Sequence, residues 1–201
     1  MSGIEKSTDL SVEELAAQLM RANYRNENGL LVPPVYNLAT HMLPVPCVDV
    51  IPVKDTGEDP KIGVITRATG SQKGKMALLG GIVQAPEPRL DAMHRHLRES
   101  LGEEEFVFYE GNAEDHPFMV AEYLRRESSD GLFDPTKHSI ASTYLIHTND
   151  PRVARAEALD FRWIRRDQIA PETAFNQGIV MRRAFEFLGQ TALVTESQLA
   201  P

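Results

Sequence analysis

The sequence predicts an α/β (α+β) protein, built as an α/β/α sandwich around a mixed sheet with an extra helix near its N-terminus. A central amphipathic helix, short apolar runs of strand length on both sides of it, and helical periodicity towards both ends support this prediction. The 201 residues suit one domain with an appendage. We therefore divide the chain into an N-terminal helix and connecting arm (1–45), a sandwich domain (46–190) and a tail (191–201).

The N-terminal arm is predicted to begin with a helix over 11–24. Ser11 and Glu14 form a capping-box pattern, and apolar residues then recur at helical spacing. Gly29 and the pair Pro33-Pro34 interrupt this periodicity, so residues 25–45 are expected to form an irregular connection. The arm is longer than a minimal domain needs, and its helix could cover a sheet edge or pair with a second subunit. We therefore expect a homodimer.

The rest of the chain alternates between strand and helix patterns. Strands are expected at 48–53, 62–67, 106–110, 119–124, 140–147 and 161–164, with a short apolar run at 76–79. The first two strands should form a hairpin, since turn residues separate them. Residues 88–101 are the clearest helix, with an apolar stripe on one face and Gly102 at the position of a left-handed C-cap. A last helix is expected over 174–188.

Composition and charge exclude several classes of protein. The net charge is −8, from 21 basic and 29 acidic residues, which argues against a reader of duplex nucleic acid but not against an enzyme that binds a small phosphorylated ligand. No apolar run approaches the length that crosses a bilayer, and the first ten residues do not resemble a secretory signal. The single cysteine, Cys47, lies in an apolar stretch and is expected to be a buried small hydrophobe. We expect a cytoplasmic protein without membrane contacts.

The segment that carries chemistry begins at Gly81 and ends at Gly102. Glu87 follows Gly81 after five residues, and Arg95 follows Glu87 after seven; the helix then reads Arg-His-Leu-Arg-Glu-Ser-Leu-Gly. This spacing resembles the Nudix box, in which a glycine, a glutamate and a helix with the pattern Arg-Glu-apolar-any-Glu-Glu-any-Gly follow one another at these intervals. His96 and Ser100 depart from the box by replacing two of its helical glutamates, and Glu103 stands where an apolar residue is usual.

The resemblance implies the Nudix fold and hydrolysis of a nucleoside diphosphate linked to another moiety. It implies that Glu99 ligates Mg²⁺ or Mn²⁺, hard cations that prefer oxygen ligands, and that Arg95 orients the acidic groups. It also implies that the backbone of Gly80 and Gly81 approaches the metal or the substrate phosphates, so we include Gly81 among the metal ligands. Arg67, on the strand that leads towards the box, is the candidate for phosphate contact.

The general base remains open between two histidines. His96 could take a proton from water, because imidazole titrates near neutrality, or it could be an ordinary polar helix residue in a site that has lost its acids. His94 should not share an ion with His96, since residues two apart point about 200° apart on a helix. His138 lies in a loop before a strand, where active-site groups often sit. Residues 80–84 and 48–51 are also similar to segments of the GDP-mannose mannosyl hydrolases, a branch of the family that uses a histidine outside the box as base.

A second hypothesis belongs to a different functional class. The chain could be a Nudix-fold module that binds a nucleotide-like ligand or a protein partner without turnover. The replacements at His96 and Ser100 favour this hypothesis, whereas the retained Arg95, Glu99 and Glu87 favour the hydrolase.

Overall fold

The structure is a computed structural model that describes residues 32–54, 59–102, 105–126, 131–148 and 157–199, together with positions 11, 13, 14 and 17. The chain divides into two compact units, residues 1–42 and 43–201, and each is described by itself.

The first unit confirms the predicted capping box. The Ser11 hydroxyl accepts a hydrogen bond from the Glu14 backbone N–H at 3.2 Å, and the Ser11 backbone N–H donates to the Glu14 carboxylate at 2.9 Å. Most of the predicted helix over 11–24 lies outside the described residues. The expected irregular connection is wrong in its second half, because helix α1 spans Pro33–Met42. Proline is tolerated in a first helical turn, where its missing N–H has no intrahelical partner, so Pro33-Pro34 begins a helix here instead of preventing one.

The second unit is built on one mixed sheet of eight strands. The strands are β1 Val45–Lys54, β2 Lys61–Arg67, β3 Met76–Ala77, β4 Leu79–Ile82, β5 Phe106–Phe108, β6 Met119–Tyr123, β7 Ser139–Thr148 and β8 Ala158–Ile164. The long strand β1 holds the sheet together: it pairs with β7 in parallel, with β4 antiparallel, and near its end with β2 antiparallel. The predicted mixed sheet and the β1–β2 hairpin are therefore confirmed.

A helix covers each face of this sheet. Helix α2 spans Arg89–Leu101 and helix α3 spans Gly178–Leu199. The core beneath α2 combines its stripe with strand residues, including Met93, Leu97, Leu101, Val48, Val50 and Leu79. The core beneath α3 includes Met181, Phe185, Leu188, Ile51, Val64 and Leu145. Side chains alternate between the two faces along a strand. In β1, Val48 and Val50 therefore point towards α2, whereas Cys47 and Ile51 point towards α3. We refer to these as the α2 face and the α3 face.

Helix α2 forms where its sequence pattern predicts and ends at Gly102. That glycine adopts φ 68°, a left-handed conformation in which its N–H bonds to the Arg98 carbonyl at 2.9 Å. The last helix differs from the prediction at both ends. Residues 174–176 form a separate 3₁₀ turn, in which Phe175 and Asn176 have positive φ, and α3 then continues to Leu199, past the predicted end at 188.

Two smaller expectations concern burial and length. Cys47 is 8% exposed, as predicted, and burial raises the pKa of its thiol to about 12, so it is chemically inert at neutral pH. Among the described residues, the helices are too short or too polar to cross a membrane.

Candidate functional site

One guanidinium holds the box segment together. The Nε and Nη2 atoms of Arg95 each donate to a carboxylate oxygen of Glu87 at 2.8 Å, so the pair is bidentate. The Nη2 atom also donates to the Ile82 carbonyl at 2.9 Å, and Nη1 lies 3.5 Å from the Glu99 carboxylate. We call this set the Arg95 clamp. It joins the end of β4, the turn before α2 and the outer side of the helix through charge-assisted hydrogen bonds, which are the stronger kind.

The clamp also fixes the turn that precedes α2. The Glu87 carboxylate accepts a hydrogen bond from the Gln84 backbone N–H at 2.9 Å, in addition to the two from Arg95. The hydrogen bonds from Arg95 are the main reason that the pKa of Glu87 is lowered, and the same bonds raise the pKa of Arg95. Glu87 is therefore ionised, and its three hydrogen bonds hold the loop before α2.

His96 lies beneath the helix and not in an open cleft. Its side chain is 6% exposed, and its Nε2–H donates to the Ile82 carbonyl at 3.2 Å. Burial is the largest cause of the lowered pKa of His96, and the charge of Arg95 adds to it, so the ring is neutral near pH 7. Its Nδ1 atom has no hydrogen-bond partner among the described residues and lies 3.9 Å from the Glu99 carboxylate.

Ser100, the other replacement in the box, is also buried. It is fully inaccessible to solvent, and its hydroxyl has no partner within the described part of the chain. Of His96, Glu99 and Ser100, only Glu99 is exposed, with 42% of its side chain accessible to solvent. The face of α2 that carries the two replaced positions packs against the sheet.

The glycine pair is explained by close packing. A Cβ atom on Gly81 would lie 2.6 Å from Cε1 of His96, so the imidazole occupies the space that a side chain would need. Gly80 has φ 132°, and a Cβ there would lie 2.1 Å from the Val48 carbonyl oxygen. Both glycines pair with β1, opposite Val48 and Asp49. The predicted contacts of Gly80 and Gly81 with metal or phosphate stay predictions.

The other predicted site residues make contacts outside the clamp. His138 lies just before β7, and Glu122 lies on the neighbouring strand β6. The His138 Nε2–H donates to the Glu122 carboxylate at 2.8 Å. Arg67, at the end of β2, places its guanidinium 5.2 Å from the centre of the Phe175 ring. His94 stacks on Phe106, with ring centres 4.7 Å apart, so it and His96 point away from each other as predicted.

Sequence reasoning missed two acidic residues. The charge of Glu157 acts to raise the pKa of His96. Glu157 lies directly before β8, and the pairing of Arg67 with Ala158 fixes its position beside the sheet. Asp49 is buried on the α3 face and accepts a hydrogen bond from the Tyr123 hydroxyl at 3.0 Å. Only the strand register places these residues, and no local motif in the sequence reveals it.

This arrangement, a mixed sheet between two helices with a box-spaced loop and helix on one face, defines a protein with the Nudix fold. The chain belongs to the DUF4916 family, a domain of unknown function whose model matches residues 26–194. No curated protein matches the chain by sequence.

Solved structures agree on the fold. A possible asymmetric diadenosine tetraphosphate hydrolase from Jonesia denitrificans superposes with a TM-score of 0.62 at 26% identity, over 74% of this chain and 96% of that one. The NUDIX domain of Shewanella oneidensis NrtR, solved with ADP ribose, gives 0.54 at 16% identity, over 89% and 99%. An Ap4A hydrolase from C. elegans gives 0.54 at 14% identity, over 73% and 98%. The predicted Nudix fold is confirmed.

Proposed function

We propose that the chain is a Nudix-type hydrolase of a nucleoside diphosphate linked to another moiety. The observation that carries the proposal is the Arg95 clamp. Its bidentate pair with Glu87 and its bond to the Ile82 carbonyl hold the loop before α2 in one geometry, with the exposed Glu99 at its edge. The clamp thereby places an exposed carboxylate beside a loop held in one geometry, which is the arrangement that a cation bound partly through its substrate needs.

The donors at this site fit a divalent cation held partly by its substrate. Mg²⁺ commonly binds through one or two carboxylates and completes its shell with waters and substrate phosphates. Glu99 would supply the carboxylate and Gly81 a backbone carbonyl. The described residues contain no group of three His, Cys, Asp or Glu side chains that could hold a metal, so the protein alone would not saturate the ion. When bound, Mg²⁺ or Mn²⁺ would neutralise the diphosphate and assist in forming hydroxide.

The geometry favours His138 over His96 as the base. His96 is buried, and its Nε2 is occupied by the Ile82 carbonyl. His138 is 30% exposed, and Glu122 accepts its Nε2–H, which leaves Nδ1 as the nitrogen with a free lone pair. A histidine oriented by a carboxylate in this way is a common arrangement for proton transfer. We propose that His96 supports the loop and that His138 takes the proton from water.

The relatives favour a ligand with linked phosphates. NrtR was solved with ADP ribose, and two other similar structures are described as Ap4A hydrolases or possible ones. Both compounds carry a nucleoside joined through phosphates to a second group. We propose a ligand of this class for the present chain, with Arg67 and the backbone of Gly80 and Gly81 contacting its phosphates.

The first experiment measures product release from nucleotide sugars, dinucleoside polyphosphates, ADP ribose and nucleoside triphosphates with Mg²⁺ or Mn²⁺. We expect turnover of at least one linked diphosphate. Glu99→Gln should reduce it at least about 100-fold, because it removes the carboxylate that holds the cation. His138→Ala should reduce turnover about 100-fold, in the range of a lost general base.

The matched control is Glu186→Gln, which removes an exposed carboxylate from α3 that pairs with Arg166. It should leave turnover unchanged. Turnover that survives in Glu99→Gln would contradict the proposal, even if a substrate is found. Loss in His96→Ala with an unchanged unfolding temperature would move the base from His138 to His96.

A second candidate function is a binding module that does not turn over its ligand. The observation that favours it is the burial of both His96 and Ser100, which leaves Glu99 as the one exposed acid among the helical box positions that the structure describes. Binding of ADP ribose without product release in either metal would support this function and overturn the hydrolase.

We retain the homodimer as a proposal based on the length of the N-terminal arm. Sedimentation at micromolar concentration should give twice the chain mass of 22.4 kDa. A single species at the chain mass would contradict it.

A further inference from the structure

The imidazole of His96 has one nitrogen that the fold uses and one that it leaves without a partner. The Nε2 atom lies 3.2 Å from the Ile82 carbonyl oxygen, and because a carbonyl can only accept, Nε2 carries the proton. In the neutral ring, Nδ1 therefore presents a lone pair. The side chain is 6% exposed, and Nδ1 is buried without a hydrogen-bond partner among the described residues. Buried polar atoms are almost always paired, so this nitrogen indicates a missing partner.

The charged neighbour of Nδ1 is itself an acceptor. A carboxylate oxygen of Glu99 lies 3.9 Å from Nδ1, which is beyond the length of a hydrogen bond, about 2.7–3.2 Å. No proton therefore bridges the two atoms. Nitrogen and oxygen ligands lie about 2.0–2.2 Å from a small divalent cation, so two ligands of one ion are at most about 4.3 Å apart. The distance between Nδ1 and the Glu99 oxygen is thus one that a single metal ion can span.

The charges around the imidazole favour a cation at this place. The charged groups that act on His96 include the Arg95 guanidinium and the carboxylates of Glu87, Glu99 and Glu157. Arg95 alone would repel a metal ion, but its bidentate pair with Glu87 neutralises it. Glu99 and Glu157 then leave an excess of negative charge around the ring, which attracts a divalent cation and repels an anion.

We propose that Nδ1 of His96 and the Glu99 carboxylate bind one divalent cation together, and that the nitrogen ligand makes the site prefer Co²⁺ and Mn²⁺ to Mg²⁺. The inference rests on the proposed function in taking Glu99 as a metal ligand. Nε2 keeps its bond to the Ile82 carbonyl, and a metal-bound histidine commonly donates its second ring N–H to a backbone carbonyl in this way. Gly81, the proposed backbone ligand, lies beside the same nitrogen, since a Cβ atom there would be 3.4 Å from Nδ1.

Two properties of the site select against Mg²⁺. Mg²⁺ prefers oxygen ligands and gives up its waters reluctantly. The affinity of sites with nitrogen ligands rises along the first transition row from Mn²⁺ to Co²⁺. In addition, Nδ1 is out of contact with solvent, so an ion that arrives from the exposed Glu99 must shed its water on the side of the imidazole. We therefore expect Co²⁺ to bind most tightly, then Mn²⁺, then Mg²⁺.

The test adds Mn²⁺ alone to the full chain, without nucleotide, and records the electron spin echo envelope modulation of the bound ion. A coordinated imidazole gives a nitrogen coupling that carboxylates and water cannot give, and we expect this coupling in the wild type. His96→Gln should abolish it, because the amide can still donate to the Ile82 carbonyl but offers no nitrogen lone pair. Competition against Mn²⁺ should show that His96→Gln also reduces the preference for Co²⁺ over Mg²⁺ at least about fivefold. Glu99→Gln, at an exposed position, should weaken Mn²⁺ binding at least about tenfold.

The matched control is His94→Gln, on the same helix, since His94 stacks on Phe106 and points away from His96. It should keep the nitrogen coupling and the order of metal affinities. Bound Mn²⁺ without nitrogen coupling, coupling that survives in His96→Gln, or no bound Mn²⁺ at millimolar concentration overturns the proposal. If His96→Gln does not fold, labelling histidine with heavy nitrogen in the wild type decides, because only a coordinated imidazole then changes its modulation frequency.

The metal measurements are independent of turnover. Turnover that depends on Glu99, in a protein whose bound Mn²⁺ shows no nitrogen coupling, would leave the hydrolase standing and remove this inference. Nitrogen coupling without turnover of any substrate would do the reverse. A His96→Ala variant that loses turnover but keeps its Mn²⁺ affinity would identify His96 as a base and overturn its role as a metal ligand.

Discussion

Each face of the sheet carries a largely buried carboxylate, and the pKa values of the two carboxylates are shifted in opposite directions. On the α2 face, Glu87 is 16% exposed and receives two hydrogen bonds from Arg95, and its pKa is lowered. On the α3 face, Asp49 is 6% exposed and receives a hydrogen bond from the neutral Tyr123 hydroxyl, and burial raises its pKa to about 6. The balance between desolvation and charged hydrogen-bond donors decides the direction in each case.

This difference separates a carboxylate that its neighbours stabilise in the ionised form from one that burial disfavours in that form. Glu87 is fully used by its neighbours, so we assign it to holding the loop. Asp49 lies near the cations of Lys137 and Arg67, but the hydrogen bonds around it do not compensate for its burial. A carboxylate in that condition lowers the stability of the folded protein once it ionises. Three predictions test this comparison, and they are given in order of decreasing effect on stability.

The largest expected effect is a pH-dependent gain in stability from Asp49→Asn. The folded pKa of Asp49, about 6, lies above the ordinary aspartate value of 3.8, so its contribution to stability is fully present below about pH 3.8 and is lost as the pH rises through about 6. The rise from 3.8 to about 6 corresponds to at most about 3 kcal/mol. The variant should therefore match the wild type at pH 3.8 and be more stable at pH 8, as measured by urea unfolding.

The control for this prediction is Asp160→Asn, on an exposed residue that pairs with Arg162. The difference between that variant and the wild type should not change with pH over the same range. An Asp49→Asn variant that is less stable than the wild type at pH 8 would show that the bond from Tyr123 outweighs the desolvation of the carboxylate.

The second effect is a loss of stability in Arg95→Ala of about 2 kcal/mol, because Glu87 would be left without its cation in a mostly buried position. For a chain of this length, that loss corresponds to about 4–8 °C in unfolding temperature. Arg95→Lys should recover little of it, since an ammonium cannot form the bidentate pair. Differential scanning calorimetry measures all three proteins.

Arg162→Ala is the matched control, since it breaks an ion pair in which both side chains are more than half exposed. It should cost less than about 0.5 kcal/mol. If the two alanine variants lose the same stability, the clamp contributes no more than a surface pair, and the contrast between the two faces fails.

Local patterns predicted most of the fold. The stripe and glycine cap of α2, and the β-branched runs of the strands, act over a few residues and can be read directly. The difference at α1 is also local: a proline pair can interrupt a helix or suit its first turn, and Pro33-Pro34 does the second, with the Tyr36 N–H bonded to the Val32 carbonyl at 2.9 Å.

The spacing of the box residues is enough to locate the box in the sequence. It does not reveal that His96 and Ser100 are buried. Helical periodicity places His96 and Glu99 on neighbouring positions, and it does not say that the space above Gly81 will admit an imidazole. The hydrogen bonds that join Asp49, Tyr123 and Gln177 on the α3 face could not be predicted from the sequence for a related reason. Asp49 and Tyr123 lie 74 residues apart and Tyr123 and Gln177 lie 54 apart, so only the sheet register and the placement of α3 bring them together.

The third and smallest effect distinguishes Gly80 from Gly81, the two glycines of β4. Gly81→Ala should cost about 1 kcal/mol in the wild type, because the added Cβ would meet His96 Cε1 at 2.6 Å. In a His96→Ala background the clash is absent, and the substitution should be neutral or slightly stabilising, since alanine reduces the entropy of the unfolded chain. Urea unfolding of the four proteins gives the coupling energy.

Gly80→Ala is the control: its clash is with the Val48 carbonyl at 2.1 Å and its φ is 132°, so His96→Ala should not relieve it. A Gly81→Ala cost that is equal in both backgrounds would mean that the imidazole does not fill this space. His96 would then be available to a ligand, and its role in the proposed reaction would need to be considered again.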